Sequence, residues 1–326
     1  MKLEDIGFYT LSDYRAKNVS DKSPMWRCEM ILTGRCNFKC PYCRGLSVIS
    51  EKCFEDMDVR VARQVLDTWI DGGLKNVRFS GGEPTLYPFL NDLVEHCSNN
   101  GVEKIAISTN GSRNFSIYEE LIKRGINDFS ISLDACCASF GDKMAGVPGK
   151  WDTVVDNIKR LSKLTYVTVG VVLTEDNIED TKKIIEFANT LGVADIRIIS
   201  AAQYNKLIDG LSNIDRSILD SHPILKYRVE HLDIGRNVRG IKENDCHHCY
   251  LVKDDSVVAG QWHFPCVIHM REGGKAIGKV SPNMRQERIE WFNKHNSYQD
   301  DICRNNCLDV CIDYNNKCDE YQKNQK

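Results

Sequence analysis

The chain has 326 residues, 42% hydrophobic and 27% charged, which excludes a disordered or fibrous protein and leaves room for one large domain with an appendage. Its formal charge is −3 with both signs interleaved, so it carries neither a nucleic-acid-binding tail nor a polybasic membrane anchor. No apolar run reaches membrane-spanning length, and the start MKLEDIGFYT lacks a secretory pattern, so a cytoplasmic location is expected. In such a reducing compartment, fifteen cysteines read as metal ligands or reactive thiols before they read as disulfides.

From residue 28 to about 200, short β-rich runs alternate with longer stretches at helical spacing, as in successive parallel βα units. Strands are expected at Cys28–Thr33, Asn76–Ser80, Lys104–Ser108, Asp128–Asp134, Tyr166–Leu173 and Asp195–Ser200. Helices are expected near Val59–Asp71, Phe89–Asn99, Ile117–Arg124, Thr153–Leu164 and Ile178–Leu191, with glycines marking several of their ends. Six such units make an open sheet or a partial barrel, and both place function at the carboxyl ends of the strands. Beyond residue 205 the alternation fades. The expected division is an extension over 1–27, an α/β core over 28–230 and a small Cys-rich domain over 231–326.

The distinctive motifs fall at those strand ends. Cys36-Asn-Phe-Lys-Cys40-Pro-Tyr-Cys43 follows the first strand, Ser80-Gly81-Gly82-Glu83-Pro84 the second and Thr109-Asn110-Gly111-Ser112 the third, while Asp134 ends the fourth. Three thiols in eight loop residues can converge on one soft metal centre. A zinc knot would need a fourth ligand from elsewhere, whereas an iron–sulfur cubane held by three thiolates keeps one iron open for a small molecule. Cys28, Cys53 and Cys97 read as packing residues, and packing is also favoured for the Cys136–Cys137 pair at a strand end.

The spacing C-x3-C-x2-C, with Tyr42 before the last cysteine, resembles the radical S-adenosylmethionine superfamily, as does Gly81-Gly82-Glu83-Pro84 after the second strand. The resemblance implies a partial (β/α)6 TIM-like barrel with a [4Fe–4S] cluster on Cys36, Cys40 and Cys43. Its open iron would bind S-adenosylmethionine, whose reductive cleavage yields methionine and a 5′-deoxyadenosyl radical that abstracts a substrate hydrogen. By the same resemblance, Gly81 and Gly82 would approach the methionine amino group, Glu83 would accept from it or hold the loop, and Pro84 would fix the exit turn. Ser108, Asn110 and Ser132 would contact ribose or methionine, Arg197 would pair with the carboxylate, and Tyr42 would flank adenine.

The tail carries Cys246, Cys249, Cys266, Cys303, Cys307, Cys311 and Cys318. Gly260-Gln-Trp-His-Phe-Pro-Cys266 and the later Gly274-Lys-Ala-Ile-Gly278 resemble the SPASM and twitch extensions, which hold auxiliary iron–sulfur clusters. The trio Cys246, Cys249 and Cys266 resembles the auxiliary site of the molybdenum-cofactor GTP cyclase. The tail spacing C-x3-C-x3-C-x6-C departs from the full SPASM pattern, so the expectation is one or two auxiliary clusters with the seven cysteines as candidate ligands. A zinc ribbon is the alternative, but the second C-x2-C pair it needs is absent. His247, His248, His263 and His269 are expected to support ligands or face solvent while thiolates are abundant.

The favoured activity is radical oxidation, crosslinking or rearrangement of a ribosomal peptide, fed by an external donor such as flavodoxin or ferredoxin. Radical modification of a small molecule or nucleotide is the alternative, and a non-catalytic iron–sulfur electron carrier the third reading. The 27 residues before the first strand are too few for a fused peptide-recognition domain, and the end Tyr-Gln-Lys-Asn-Gln-Lys lacks the cyclase's Gly-Gly tail. No membrane or nucleic-acid partner is expected.

Overall fold

The structure, a computed structural model, describes residues 12–43, 55–201 and 211–324; Cys53 lies outside them. Nine strands follow in chain order: β1 (Arg27–Thr33), β2 (Asn76–Gly81), β3 (Lys104–Thr109), β4 (Asp128–Ser132), β5 (Tyr166–Leu173), β6 (Asp195–Ser200), β7 (Asp255–Ala259), β8 (Trp262–Phe264) and β9 (Gly278–Lys279). By contacts the chain forms two compact units. One comprises the described parts of Met1–Arg35, Arg44–Ile105 and Arg239–Lys326, the other Cys36–Cys43 and Ala106–Val238. These units are drawn differently from the expected domains 28–230 and 231–326, because β7 lies beside β1.

In the first unit, β1 is buried along nearly its whole length, as a parallel strand covered on both faces must be. It pairs in parallel with β2 on one side and β7 on the other, Met30 facing Phe79 and Val258. The helix Val59–Asp71 starts at Asp58, whose carboxylate caps Arg60 N–H, and buries Ala62, Val65, Leu66 and Trp69 at helical spacing. Cys97 is buried on the next helix, Leu90–Asn99, and Cys28 on β1, consistent with packing. β8 and β9 continue the sheet antiparallel to β7. β7, β8 and β9 were not anticipated: their runs are five, three and two residues long, too short to show a period.

The first unit also joins distant chain segments. The helix Asp13–Asn18 packs on the helix Asp309–Lys323, with Ala16, Val19, Leu251, Tyr314 and Cys318 in one apolar cluster. Beneath it, buried Arg15 pairs with Asp254, which also accepts from the Tyr314 hydroxyl.

In the second unit, β3 to β6 are all parallel and in register, Ser108 facing Ser130, Ser130 facing Thr168 and Thr168 facing Asp195. Helices Phe115–Arg124, Trp151–Leu161 and Thr181–Asn189 alternate with them. Two details differ from expectation. β4 stops at Ser132; beyond it the Asp134 carboxylate, not its backbone, accepts from Val172 N–H, at 2.7 Å. An extra helix, Ala138–Ala145, then intervenes, ended by Gly146 in the left-handed region at φ +64°. The fold class is therefore α/β with a parallel-dominated sheet and a Cys-rich C-terminal region. No helix among the described residues is long and apolar enough to cross a membrane.

Candidate functional site

The glycine motif is built into the loop that leaves β1. Gly82 N–H donates to the Thr33 carbonyl at 2.7 Å and Glu83 N–H to the Arg35 carbonyl at 2.8 Å. A Cβ on Gly81 would lie 2.3 Å from Thr33 O, and one on Gly82 would lie 2.3 Å from Arg35 O, so both glycines serve a backbone-to-backbone approach. The fully buried Glu83 carboxylate accepts from Thr85 N–H at 3.2 Å and from its hydroxyl at 2.7 Å, capping a turn that opens with Pro84. Cys36 follows Arg35 directly in the chain.

In the second unit, the cysteine loop is held at Asn37 and at Lys39. Lys39 N–H donates to the Ala145 carbonyl at 2.9 Å, and a Cβ on Gly146 would meet Lys39 O at 2.2 Å, so the loop rests on the end of the helix Ala138–Ala145. Asn37 accepts from Asn110 Nδ2 and donates to Ser112 Oγ, each at 2.8 Å, tying the loop to the turn after β3. Cys43 N–H donates to the Cys40 carbonyl at 3.0 Å, closing the turn that draws these two cysteines together. Cys36 and Cys43 are exposed and Cys40 half-buried. Cys36 Sγ accepts from Phe38 N–H at 3.4 Å and lies 3.9 Å from Asn110 Nδ2.

The Tyr42 hydroxyl donates to Asp134, so this side chain is fixed from below the loop. Burial pushes the Asp134 carboxyl up to about 6, against the opposing pull of its Tyr42 and Val172 donors. Burial likewise pushes the Cys40 thiol up to about 12, so a thiolate at this position needs a compensating cation. Three thiols on a fixed loop, an N–H donor on one sulfur and an environment hostile to a bare thiolate fit an iron–sulfur group.

The other predicted contacts share one face of the second unit's sheet. Ser132, Gly170 and Arg197 face one another across β4, β5 and β6, and Ser108 stands one row away opposite Ser130. Arg197 Nη2 donates to Ser130 Oγ at 3.2 Å, and Gly170 leaves space beside the guanidinium, since a Cβ there would lie 3.6 Å from Nη2. Sequence reasoning missed Asn37 and gave Asp134 only a position. Their signal is an amide next to the first ligand and a carboxylate at a strand end, both ordinary until the loop is folded.

In the tail, Cys249, Cys266, Cys303, Cys307 and Cys311 lie near one another. Neighbouring Cys311 and burial push the Cys307 thiol well up. Burial raises the Cys249 thiol, with neighbouring Cys266 and Cys311 adding to it, and burial first and then Cys266 and Cys249 raise Cys303. Burial pushes Cys266 up to about 12. Cys318 is fully buried in the apolar cluster beside Tyr314, against which Cys246, Cys249 and Cys311 all pack; the Cys246 sulfur accepts from His248 N–H at 3.4 Å. His263 bonds Glu287 at 2.8 Å and His247 stacks on Tyr298, in line with supporting roles. His269 instead lies with Asp300 and Cys303, their ligand atoms all within 4.8 Å of one another.

Residues 30–188 match the radical SAM superfamily model. A probable GTP 3′,8-cyclase of Metallosphaera sedula is 28% identical over 180 residues, 54% of this chain and 56% of that one. The chain spans about half the length of the first curated relatives it matches. Among solved structures, native anSMEcpe with bound AdoMet and Kp18Cys peptide aligns with a TM-score of 0.59 at 14% identity, covering 93% of this chain and 98% of that one. Streptococcus suis SuiB bound to precursor peptide SuiA aligns with a TM-score of 0.59 at 15% identity, covering 88% and 68%. At such identities the likeness shows the fold, the α/β partial-barrel kind expected. The matched span, residues 30–188, runs from β1 to the helix after β5 and takes in both the cysteine loop and the glycine motif, so this part of the chain carries a radical SAM superfamily domain.

Proposed function

We propose that this chain cleaves S-adenosylmethionine reductively and uses the resulting radical to abstract a hydrogen from a peptide substrate. The observation that carries the reading is the clamped loop presenting Cys36, Cys40 and Cys43. These three residues would hold the cluster, which supplies the electron that splits S-adenosylmethionine into methionine and a 5′-deoxyadenosyl radical. The protein's own contribution is placement. The Gly81–Glu83 segment holds Thr33 and Arg35 in the first unit, and Asn37 with Asn110 holds the cysteine loop in the second. The Arg197 guanidinium, with Ser132 in the same row, would take the methionine carboxylate as a charge-assisted pair. Ser108 and Asn110 would meet ribose, and Tyr42 would border adenine while its hydroxyl stays on Asp134.

The tail thiols would hold an auxiliary iron–sulfur cluster, to bind substrate at an open iron or to accept an electron after hydrogen abstraction. A peptide substrate is supported by the extent of the likeness to structures that carry bound peptides, 93% and 88% of this chain. A small donor of the flavodoxin or ferredoxin kind would supply electrons, in the reducing cytoplasm that a cysteine-rich metal-binding chain suits. The second reading, a nucleotide substrate, is favoured by the curated cyclase relatives.

The test is anaerobic purification, iron and sulfide reconstitution, and assay of 5′-deoxyadenosine with dithionite and S-adenosylmethionine, beside a Cys36/Cys40/Cys43→Ala triple variant. Product is expected from wild type alone. Equal product from both overturns the site, and a rate that rises on adding GTP selects the nucleotide reading over the peptide one.

A further inference from the structure

The neighbouring tail thiols number one more than a cubane takes, and among the described residues Cys303 is the one grouped with imidazole and carboxylate side chains. It lies on the helix Asp301–Asn306, whose N-cap Asp300 accepts from Cys303 N–H at 2.9 Å through Oδ1. Oδ2 is thereby left facing two imidazoles, His269 Nε2 at 3.5 Å and His295 Nε2 at 3.7 Å. Cys303 Sγ stands 3.8 Å from His295 Nε2. The carboxylate–imidazole separations exceed an ordinary N–H···O hydrogen bond. They suit donors around one ion: the ligand atoms of His269, Asp300 and Cys303 all lie within 4.8 Å of one another, and His295 stands beside Asp300 and Cys303 as the side chain that would swing in as a fourth, tetrahedral zinc ligands lying about 3.3–3.7 Å apart.

The surroundings are built for these side chains. His269 is 5% exposed, and its Nδ1 has no hydrogen-bond partner, so nothing on that side of the ring accounts for its orientation. Gly274 makes room for it, since a Cβ there would lie 2.2 Å from the ring; this explains a glycine in the Glu272-Gly273-Gly274 turn. Trp291 stacks on His295 with ring centroids 3.8 Å apart and meets His269 edge-on.

We propose that His269, His295, Asp300 and Cys303 form a mononuclear Zn²⁺ site. Borderline-soft Zn²⁺ accepts nitrogen, oxygen and sulfur together, and its charge balances one carboxylate and one thiolate. Four protein ligands leave no open position, so the ion is structural and staples the helix Asp301–Asn306 to the helix Val267–Arg271 and to the residue after Met284–Lys294. Cys249, Cys266, Cys307 and Cys311 remain, the thiolate count of a complete cubane. That last count rests on the auxiliary cluster proposed above; the zinc site does not. His269 and Cys303 thus exchange the roles expected from spacing.

The test is zinc and iron analysis of the anaerobically purified full chain from zinc-supplemented medium, before and after iron–sulfur reconstitution. About one zinc per chain is expected, retained in the Cys36/Cys40/Cys43→Ala variant, which separates this site from the superfamily cluster. Cys303→Ala and His295→Gln should each lose the zinc and keep wild-type auxiliary iron, whereas Cys307→Ala should lose iron and keep zinc. The His295→Gln variant also covers the case in which Cys303→Ala fails to fold. Cobalt grown into the chain should show a thiolate charge-transfer band that disappears in Cys303→Ala. Absence of zinc from wild type, or loss of the auxiliary iron in Cys303→Ala, overturns the proposal.

Discussion

A methyl group at position 82 has no room, because Arg35 O occupies the space where a Cβ would go. Gly82→Ala is therefore expected to push the loop after β1 out of place and to lower both iron retained after reconstitution and 5′-deoxyadenosine formed, by about tenfold or more. Gly72→Ala, whose Cβ would meet only ordinary contacts at 3.4 Å, serves as the matched control and should change neither. At Arg197 the expectation is narrower. Arg197→Lys keeps the charge but loses the forked geometry, so S-adenosylmethionine binding to reconstituted protein, measured by calorimetry, should weaken about tenfold, ~1.4 kcal/mol. Unchanged affinity would give Arg197 a structural role, its Ser130 contact among others.

Elements carry the second scale. The helix Pro223–Asp233 is preceded by His222, whose ring lies 2.9 Å from Asn189 Oδ1 and 3.4 Å from the Ala194 carbonyl. Burial holds His222 below its ordinary value of 6.5, outweighing the Ala194 carbonyl. The unfolded chain then takes up this proton first as pH falls. Its contribution to stability is whole above 6.5 and lost as pH drops through the lowered folded value. His222→Gln should flatten the acid limb of a urea-stability profile below 6.5 relative to wild type; an identical slope would show that the ring titrates alike in both states. The same scale explains which elements were legible. β1 to β6 announce themselves by runs of buried apolar residues, and the helices Val59–Asp71 and Leu90–Asn99 by apolar residues at helical spacing. The helix Ala138–Ala145 does not, since only Met144 and Ala145 are buried on it and no periodic stripe forms.

For the molecule, long-range closure within the first unit is the decisive event. Arg15, Asp254 and Tyr314 meet from segments more than 200 residues apart at the widest, and Arg15 and Asp254 are 3% and 4% exposed. Asp254→Ala would leave a buried guanidinium without its carboxylate and is expected to cost about 3–5 kcal/mol, read as a lower urea midpoint. A midpoint within error of wild type would mean that Arg15 finds other support, such as the face of Trp26 4.7 Å away.

The sequence by itself determined the local chemistry: three thiols at C-x3-C-x2-C, a glycine pair after the second strand, and a period that switches between strand and helix. Each of these is a short-range property of neighbouring residues, and each places its motif at a strand end without further information. Only the tertiary structure decided who meets whom. β7 beside β1, Asn37 on Asn110, Tyr42 on Asp134 and His269 with Cys303 are pairings across the chain. No spacing rule encodes them, because contacts closed by folding depend on the packing of whole elements rather than on the residues next door.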